Sequence, residues 1–290
     1  MRSVGDDGRV RIALTRDAEE FARLAGGMLE QRIERNLLAT VLSNILHGGY
    51  SDSPPLFAQG IDEDEQTRFV AMRAPPWPML ASEIDPEAAP DLIAAWLEVD
   101  PELPGVGGVP TTSRAISQAW SAATDGLARF QMREAMHVLE EVQDPPRPAS
   151  GRVRLAQPAD RALLVEWMRD FTVEAGLPGV ELASRMVDSR MARESLLVWD
   201  HLGPVSMLGI TQPVARVVRI GPVYTPPQYR RNGYAGSAVA AVSRRALARG
   251  ASRCMLFTDV SNPTSNKVYA EVGYRRIADW EEYAFELRRT

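Results

Sequence analysis

Two stretches of this 290-residue chain hold side chains suited to binding and proton transfer. The first is Val223-Tyr-Thr-Pro-Pro-Gln-Tyr-Arg-Arg-Asn-Gly-Tyr-Ala-Gly-Ser237. Arg230 and Arg231 bring positive charge to it, and Gly233 lets the backbone approach a ligand closely. A tight loop that opens a helix offers N–H groups with no internal partner, and the helix dipole adds partial positive charge there. That chemistry is anion binding; the bland alternative is a surface turn before an ordinary helix. A nucleotide-triphosphate loop would need Gly-Lys-Ser/Thr, but the chain's one lysine, Lys267, follows Asn266. A dinucleotide fingerprint would need three spaced glycines soon after a first strand, and this loop offers Gly233 and Gly236. The second stretch, Asn262-Pro-Thr-Ser-Asn-Lys-Val-Tyr269-Ala-Glu-Val-Gly-Tyr274, holds a tyrosine and two asparagines. An unperturbed tyrosine, with a pKa near ~10, carries its proton at neutral pH and can donate it.

The elements that must position these residues follow from periodicity. Residues 215–225 are rich in Val, Ile and Tyr and read as a strand. Gly221-Pro222 marks a bulge or a splayed edge in it, since Pro222 has no N–H for a ladder. Residues 234–249 carry apolar side chains at helical spacing and stop at Gly250. A short apolar strand at 254–258 precedes a helix over 264–272, ended by Gly273.

Arg230-x-x-Gly233-x-Ala235 resembles the (Gln/Arg)-x-x-Gly-x-(Gly/Ala) loop of the GNAT superfamily of acyl-CoA N-acyltransferases, and the Asn262–Tyr274 stretch resembles that family's next motif. The resemblance implies the tandem GNAT fold, an α/β architecture with a central mixed sheet flanked by helices in each half. It implies acetyl-CoA as acyl donor, held by Val223, Tyr224, Thr225, Arg230, Arg231, Asn232, Gly233, Tyr234, Ala235, Gly236, Asn262 and Asn266. The Val223 N–H would hold the thioester oxygen, Thr225 would pair with the pantetheine arm, and Tyr269 would protonate the leaving thiolate. Asn262 and Asn266 also fit helix capping, Tyr269 also fits a core aromatic, and solvent exposure fits either arginine. The amine's base is not fixed by resemblance; Asp259 and Glu174 are candidates, each equally readable as a surface carboxylate or a cap.

The expected activity is direct acetyl transfer to a primary amine of a small molecule. Protein-amine acetylation, a non-catalytic acyl-CoA sensor and an interaction module in the first half are the other readings. The net charge of -5 argues against nucleic acid and anionic membranes as partners and permits a cationic substrate. Lone Cys254 lies in an apolar run, so burial is expected, and one cysteine fits a reducing, cytoplasmic compartment. Residues 1–10 read as no signal peptide, and the apolar stretch at 37–46 is too short to span a bilayer. His47, His137 and His201 are scattered, so no metal is expected, and a homodimer is left open.

The length suggests about two domains. Asp144-Pro-Pro-Arg-Pro-Ala-Ser-Gly151 reads as a linker between a degenerate first half, 1–143, and a catalytic half, 152–290. Val153-Arg-Leu-Ala-Gln-Pro-Ala-Asp160 echoes Val10-Arg-Ile-Ala-Leu-Thr-Arg-Asp17, which suggests internal duplication. In the first half, residues 1–8 read as a frayed terminus, 17–36 and 36–46 as helices ending at Gly48-Gly49, and 56–61 with 68–73 as a hairpin. Pro104-Gly-Val-Gly-Gly-Val-Pro110 is expected to occupy the place that the phosphate loop occupies in the second half, but it lacks the arginine and has prolines where N–H donors are needed. Two closing strands are expected at 274–277 and 283–287.

Overall fold

The computed structural model describes residues 10–48 and 53–288. The expectations for residues 1–8 and Gly49 lie outside them. Asp17 starts the first helix: its carboxylate accepts from the N–H groups of Glu19 and Glu20, two donors that a helix cannot satisfy itself. From there the chain runs β1 (Arg11–Thr15), α1 (Ala18–Glu30), α2 (Asn36–Leu46), β2 (Leu56–Ile61), β3 (Thr67–Arg73), β4 (Met79–Ala81), α3 (Ala89–Leu97), β5 (Gly105–Gly108), α4 (Pro110–Thr124) and β6 (Leu127–Leu139). It continues with β7 (Arg152–Leu155), α5 (Arg161–Glu174), α6 (Ala183–Ala192), β8 (Leu196–Asp200), β9 (Pro204–Ile210), β10 (Val217–Tyr224), α7 (Tyr234–Ala248), β11 (Arg253–Asp259), α8 (Pro263–Val272) and β12 (Arg275–Glu286).

The chain folds into two compact units that do not follow its contiguous halves. Of the described residues, the first takes 10–47, 53–132 and 280–288, and the second takes Gly48 and 133–279. In the first, β1-β2-β3-β4-β5 lie side by side, and the end of β12 adds antiparallel to β5 with Tyr283 opposite Val106. In the second, β11-β10-β9-β8-β7 lie side by side, and the end of β6 adds antiparallel to β11 with His137 opposite Leu256. Both units repeat one order, β-α-α-β-β-β-α-β-α, as the echo between Val10 and Val153 suggests. In the first unit α3 and α4 bury Leu92, Ile93, Trp96 and Ile116 on one face of the sheet. Phe21 of α1 stacks on Phe57 of β2, with ring centroids 4.5 Å apart.

The two expected closing strands are one strand, β12, because nothing at Ala278-Asp279 turns the chain. The glycine-rich 104–110 stretch is not a phosphate-loop counterpart. Its core, β5, is a buried strand, and close neighbours explain its composition: a Cβ on Gly105 would stand 2.2 Å from the Tyr283 carbonyl oxygen. The helix joining the parallel strands β4 and β5 is α3, just as α7 joins the parallel strands β10 and β11. Its approach is therefore Ser82-Glu-Ile-Asp-Pro-Glu-Ala88, which has three carboxylates and no glycine. No helix among the described residues is long and apolar enough to cross a membrane.

Candidate functional site

In the second unit, two cores hold the site from opposite faces of the sheet. Leu208, Ile220 and Leu256 pack with α7 and α8, whereas Met207 and Tyr224 pack with α5 and α6. β10 and β11 pair only from Val217↔Arg253 to Arg219↔Met255. Beyond Arg219 they part. β11 stays with β6 to Asp259, while β10 follows β9, with Val223 opposite Leu208 after a register break between Ile220 and Val223. The break contains the cis peptide Gly221-Pro222, and the bulge or splayed edge expected at that dipeptide corresponds to this register break. An opening between parallel strands can admit an extended ligand, because strand ends that lack a neighbour keep hydrogen-bonding capacity on that side.

The loop after β10 turns through two left-handed residues, Arg231 (φ 64°) and Gly233 (φ 78°), before α7 begins. The helix has no side-chain cap, so the N–H groups of Tyr234, Ala235 and Gly236 have no partner in it. Glycine at 233 is required twice over: its φ is positive, and a Cβ there would stand 2.8 Å from the carbonyl oxygen of Arg147. The 144–151 segment lies along this first turn. Ala149 N–H donates to Ser237 Oγ (2.8 Å), and Pro145 flanks Gly236.

Arg230 is engaged by a carboxylate of the chain itself and not left open for a ligand anion. Its Nη2 holds both oxygens of Glu174, at 2.9 and 2.7 Å, and its Nε donates to the Thr225 carbonyl (2.8 Å). Tyr224 Oη donates to the same Glu174 carboxylate (3.1 Å), and burial, reinforced by that charge, pushes the Tyr224 phenol up to about 12. Ser206 Oγ donates to the Tyr224 carbonyl (3.0 Å) and shares a bond with Thr225 Oγ1 (2.9 Å). The end of α5, the end of β10 and the loop are thus tied in one network. Glu174, a candidate base, is one half of an ion pair. Asp259, the other, closes a turn by accepting from the N–H and Oγ of Ser261, both at 2.7 Å. Asn232 Nδ2 closes the loop on the carbonyls of Tyr229 and Arg230.

α8 opens at the far side of the gap. Asn262 caps it, accepting from Ser265 N–H at 3.0 Å. The Asn266 amide is spent on the β11–α8 connection: Nδ2 donates to the carbonyls of Asp259 (3.0 Å) and Asn262 (2.8 Å), and Oδ1 accepts from Thr258 Oγ1 (2.5 Å). Tyr269 lies in the α7–α8 core against Tyr274, and burial pushes its phenol up to about 12. Its hydroxyl makes no hydrogen bond among the described residues. Cys254 is buried, and burial raises its thiol to about 11, the setting of an inert structural cysteine. No group of residues suited to hold a metal occurs among the described residues.

One residue that the sequence reading passed over also reaches this site. Arg190, in the last turn of α6, lays its guanidinium on the sheet beside the Gly221-Pro222 break. Its signal in the sequence was faint, a basic residue near a helix end, where the C-terminal dipole explains it equally well.

Residues 162–274 match the model of the Acetyltransferase (GNAT) family. No curated protein matches the chain. Among solved structures, one of a Drosophila protein resembles it with a TM-score of 0.66 at 13% identity, over 97% of this chain and 99% of that one. An acetyltransferase from the GNAT family of Colwellia psychrerythraea gives 0.60 at 13% identity, over 95% and 100%. A tandem GNAT protein from the clavulanic acid biosynthesis pathway gives 0.57 at 10% identity, over 97% and 99%. At these identities the likeness is one of fold.

Proposed function

We propose that the chain, whose residues 162–274 match the acetyltransferase (GNAT) family model, is an N-acetyltransferase that moves the acetyl group of acetyl-CoA directly to a primary amine of a small molecule. The observation that carries this reading is the parting of β10 and β11 directly ahead of an uncapped helix whose loop turns through Arg231 and Gly233. Val223, Tyr224 and Thr225 form the edge along which the pantetheine arm lies, with the Val223 N–H directed to the thioester oxygen. The N–H groups from Arg231 to Gly236 receive the pyrophosphate, with Arg231 adding charge. Arg230 serves the loop by holding Thr225 and Glu174, and Asn266 by holding the turn before α8. Asn262 keeps its Nδ2 for the coenzyme.

In the transfer, the amine lone pair attacks the thioester carbon and the C–S bond breaks. Tyr269 gives its proton to the departing sulfur and regains one from solvent, and the proton lost by the amine passes to solvent. Burial keeps the Tyr269 phenol protonated throughout the neutral range, as a proton donor must be. No acyl-enzyme is needed, and the raised Cys254 thiol is ill-suited to form one. Release of free CoA on incubation with acetyl-CoA and a panel of small amines tests the reading. Turnover that persists in Cys254→Ala is expected. Loss of turnover in that variant with coenzyme binding intact would contradict direct transfer, and binding without turnover of any amine would favour a sensor.

A further inference from the structure

Arg190 is a cation without a partner among the described residues. Its Nε is completely shielded from solvent and has no hydrogen-bond acceptor, and no ion pair or hydrogen bond of its side chain occurs among the described residues. A guanidinium has five N–H donors and stays charged at any physiological pH, so shielding one without an acceptor costs free energy. Arg219 Nε is likewise shielded, but several other arginines of the chain are partnered. Arg154 is satisfied by Asp160 and Asp200, Arg73 by Asp100, and Arg161 by Asp188.

The fold makes room for this cation. Gly209 of β9 lies under it, and a Cβ at that position would stand 2.5 Å from Arg190 Nη1. The same point is 2.6 Å from the Gly221 carbonyl oxygen and 3.0 Å from Pro222 Cδ. The guanidinium therefore sits over the break in β10, at the level where β10 leaves β11. It reaches that level from the α5–α6 face, opposite the face on which α7 and α8 pack. Arg190 as a whole is half-buried, so part of the side chain remains open to solvent.

From this arrangement we infer that the acceptor is an amine that also carries an oxyanion, a carboxylate or a phosphate, which Arg190 binds. The inference rests on the N-acetyltransferase reading above and adds its substrate class. A planar guanidinium matches both oxyanions through two parallel N–H donors. Bound beside the break in β10, such an acceptor is anchored at one end, with its amine directed to the strand opening where the thioester carbon is held. Anchoring a remote group in this way converts binding energy into orientation of the reacting atom. Arg190 is a specificity residue in this account and touches no reacting atom.

The test uses the full chain and matched amines that differ only in the oxyanion. Glycine is paired with methylamine, β-alanine with ethylamine and γ-aminobutyrate with propylamine; glucosamine 6-phosphate is paired with glucosamine. CoA release is followed for each, and acetyl-CoA binding is measured by calorimetry in every variant. Wild-type protein is expected to favour the oxyanion-bearing member of at least one pair by roughly ten- to a hundred-fold in kcat/KM, the range for a hydrogen bond to a charged group. The carboxylate and phosphate pairs show which oxyanion is used. Arg190→Gln is expected to abolish that preference through the acceptor KM, with acetyl-CoA affinity unchanged, and Arg190→Lys to keep part of it. Arg190→Gln should also leave Tm unchanged or raise it, whereas an arginine kept for packing would lower it. Acetyl-CoA binding without oxyanion preference, or a preference that survives Arg190→Gln, would overturn the inference. A chain that binds no acetyl-CoA contradicts the N-acetyltransferase reading itself and removes the inference with it.

Discussion

In the proposed transfer, Tyr269 serves core and chemistry together. It packs in the α7–α8 core, yet its hydroxyl has no partner among the described residues. Removing that oxygen should therefore cost the fold little, because no hydrogen bond is broken and no acceptor is stranded. We expect Tyr269→Phe to lower kcat by about a hundred-fold or more, the usual worth of a positioned acid, while Tm and acetyl-CoA affinity stay as they are. A variant with unchanged kcat would remove Tyr269 from the chemistry. The raised phenol sets the pH dependence too. Tyr269 should cause no alkaline fall in kcat until the pH approaches about 12.

At the scale of elements, the site depends on how α5 is seated. Arg154 of β7 donates to Asp160 at 2.6 and 3.0 Å and to Asp200 of β8 at 2.6 Å, and Asp160 also accepts from Gln157 N–H. This fixes the start of α5, and the far end of that helix presents Glu174 to Arg230 and Tyr224. Asp160 is buried, so losing its partner strands a shielded charge. We expect Arg154→Ala to lower unfolding free energy in urea by about 3 kcal/mol. The Arg154 hydrogen bonds hold the Asp160 carboxyl below its ordinary value of 3.8. That stabilisation is therefore present at neutral pH and is lost as the pH falls below about 3.8, through the folded-state pKa. An Arg154→Ala chain as stable as the wild type would show that the start of α5 is held by other contacts. The amphipathic helices and the β2–β3 hairpin were legible in the sequence, because each has its own period and turn signals. β4 was not, since three residues among prolines carry no period. β5 was misread because Gly-Val-Gly-Gly looks like a loop, and only its neighbours, Tyr283, Trp280 and Thr112, show why side chains are absent. Of the site, the loop and α8 were legible as motifs. Arg230's bond to Glu174 and the place of Arg190 were not, since both depend on elements far apart in sequence.

Across the whole molecule, the chain carries one fold pattern twice, and the two copies differ at the turns that the proposal assigns to a phosphate-bearing ligand. Val109-Pro-Thr-Thr-Ser-Arg-Ala-Ile116 at the start of α4 stands where Asn262-Pro-Thr-Ser-Asn-Lys-Val-Tyr269 stands at α8, so the tyrosine has become Ile116, a core residue. Ahead of α3, the carboxylates Glu83, Asp85 and Glu87 replace the arginines of the loop before α7. Asp85 already takes the Glu87 N–H, and the Ile84 N–H donates to Thr112 Oγ1. A pyrophosphate approaching that turn meets negative charge and spent donors. We therefore expect the first half to bind no acetyl-CoA. Calorimetric titration of the full chain with acetyl-CoA tests the account most directly, with Gly233→Trp as the variant, since any side chain there meets the Arg147 carbonyl and a positive φ. One site per chain, abolished by Gly233→Trp in a folded protein, is the predicted result; a second site per chain, or binding that survives the substitution, would contradict it.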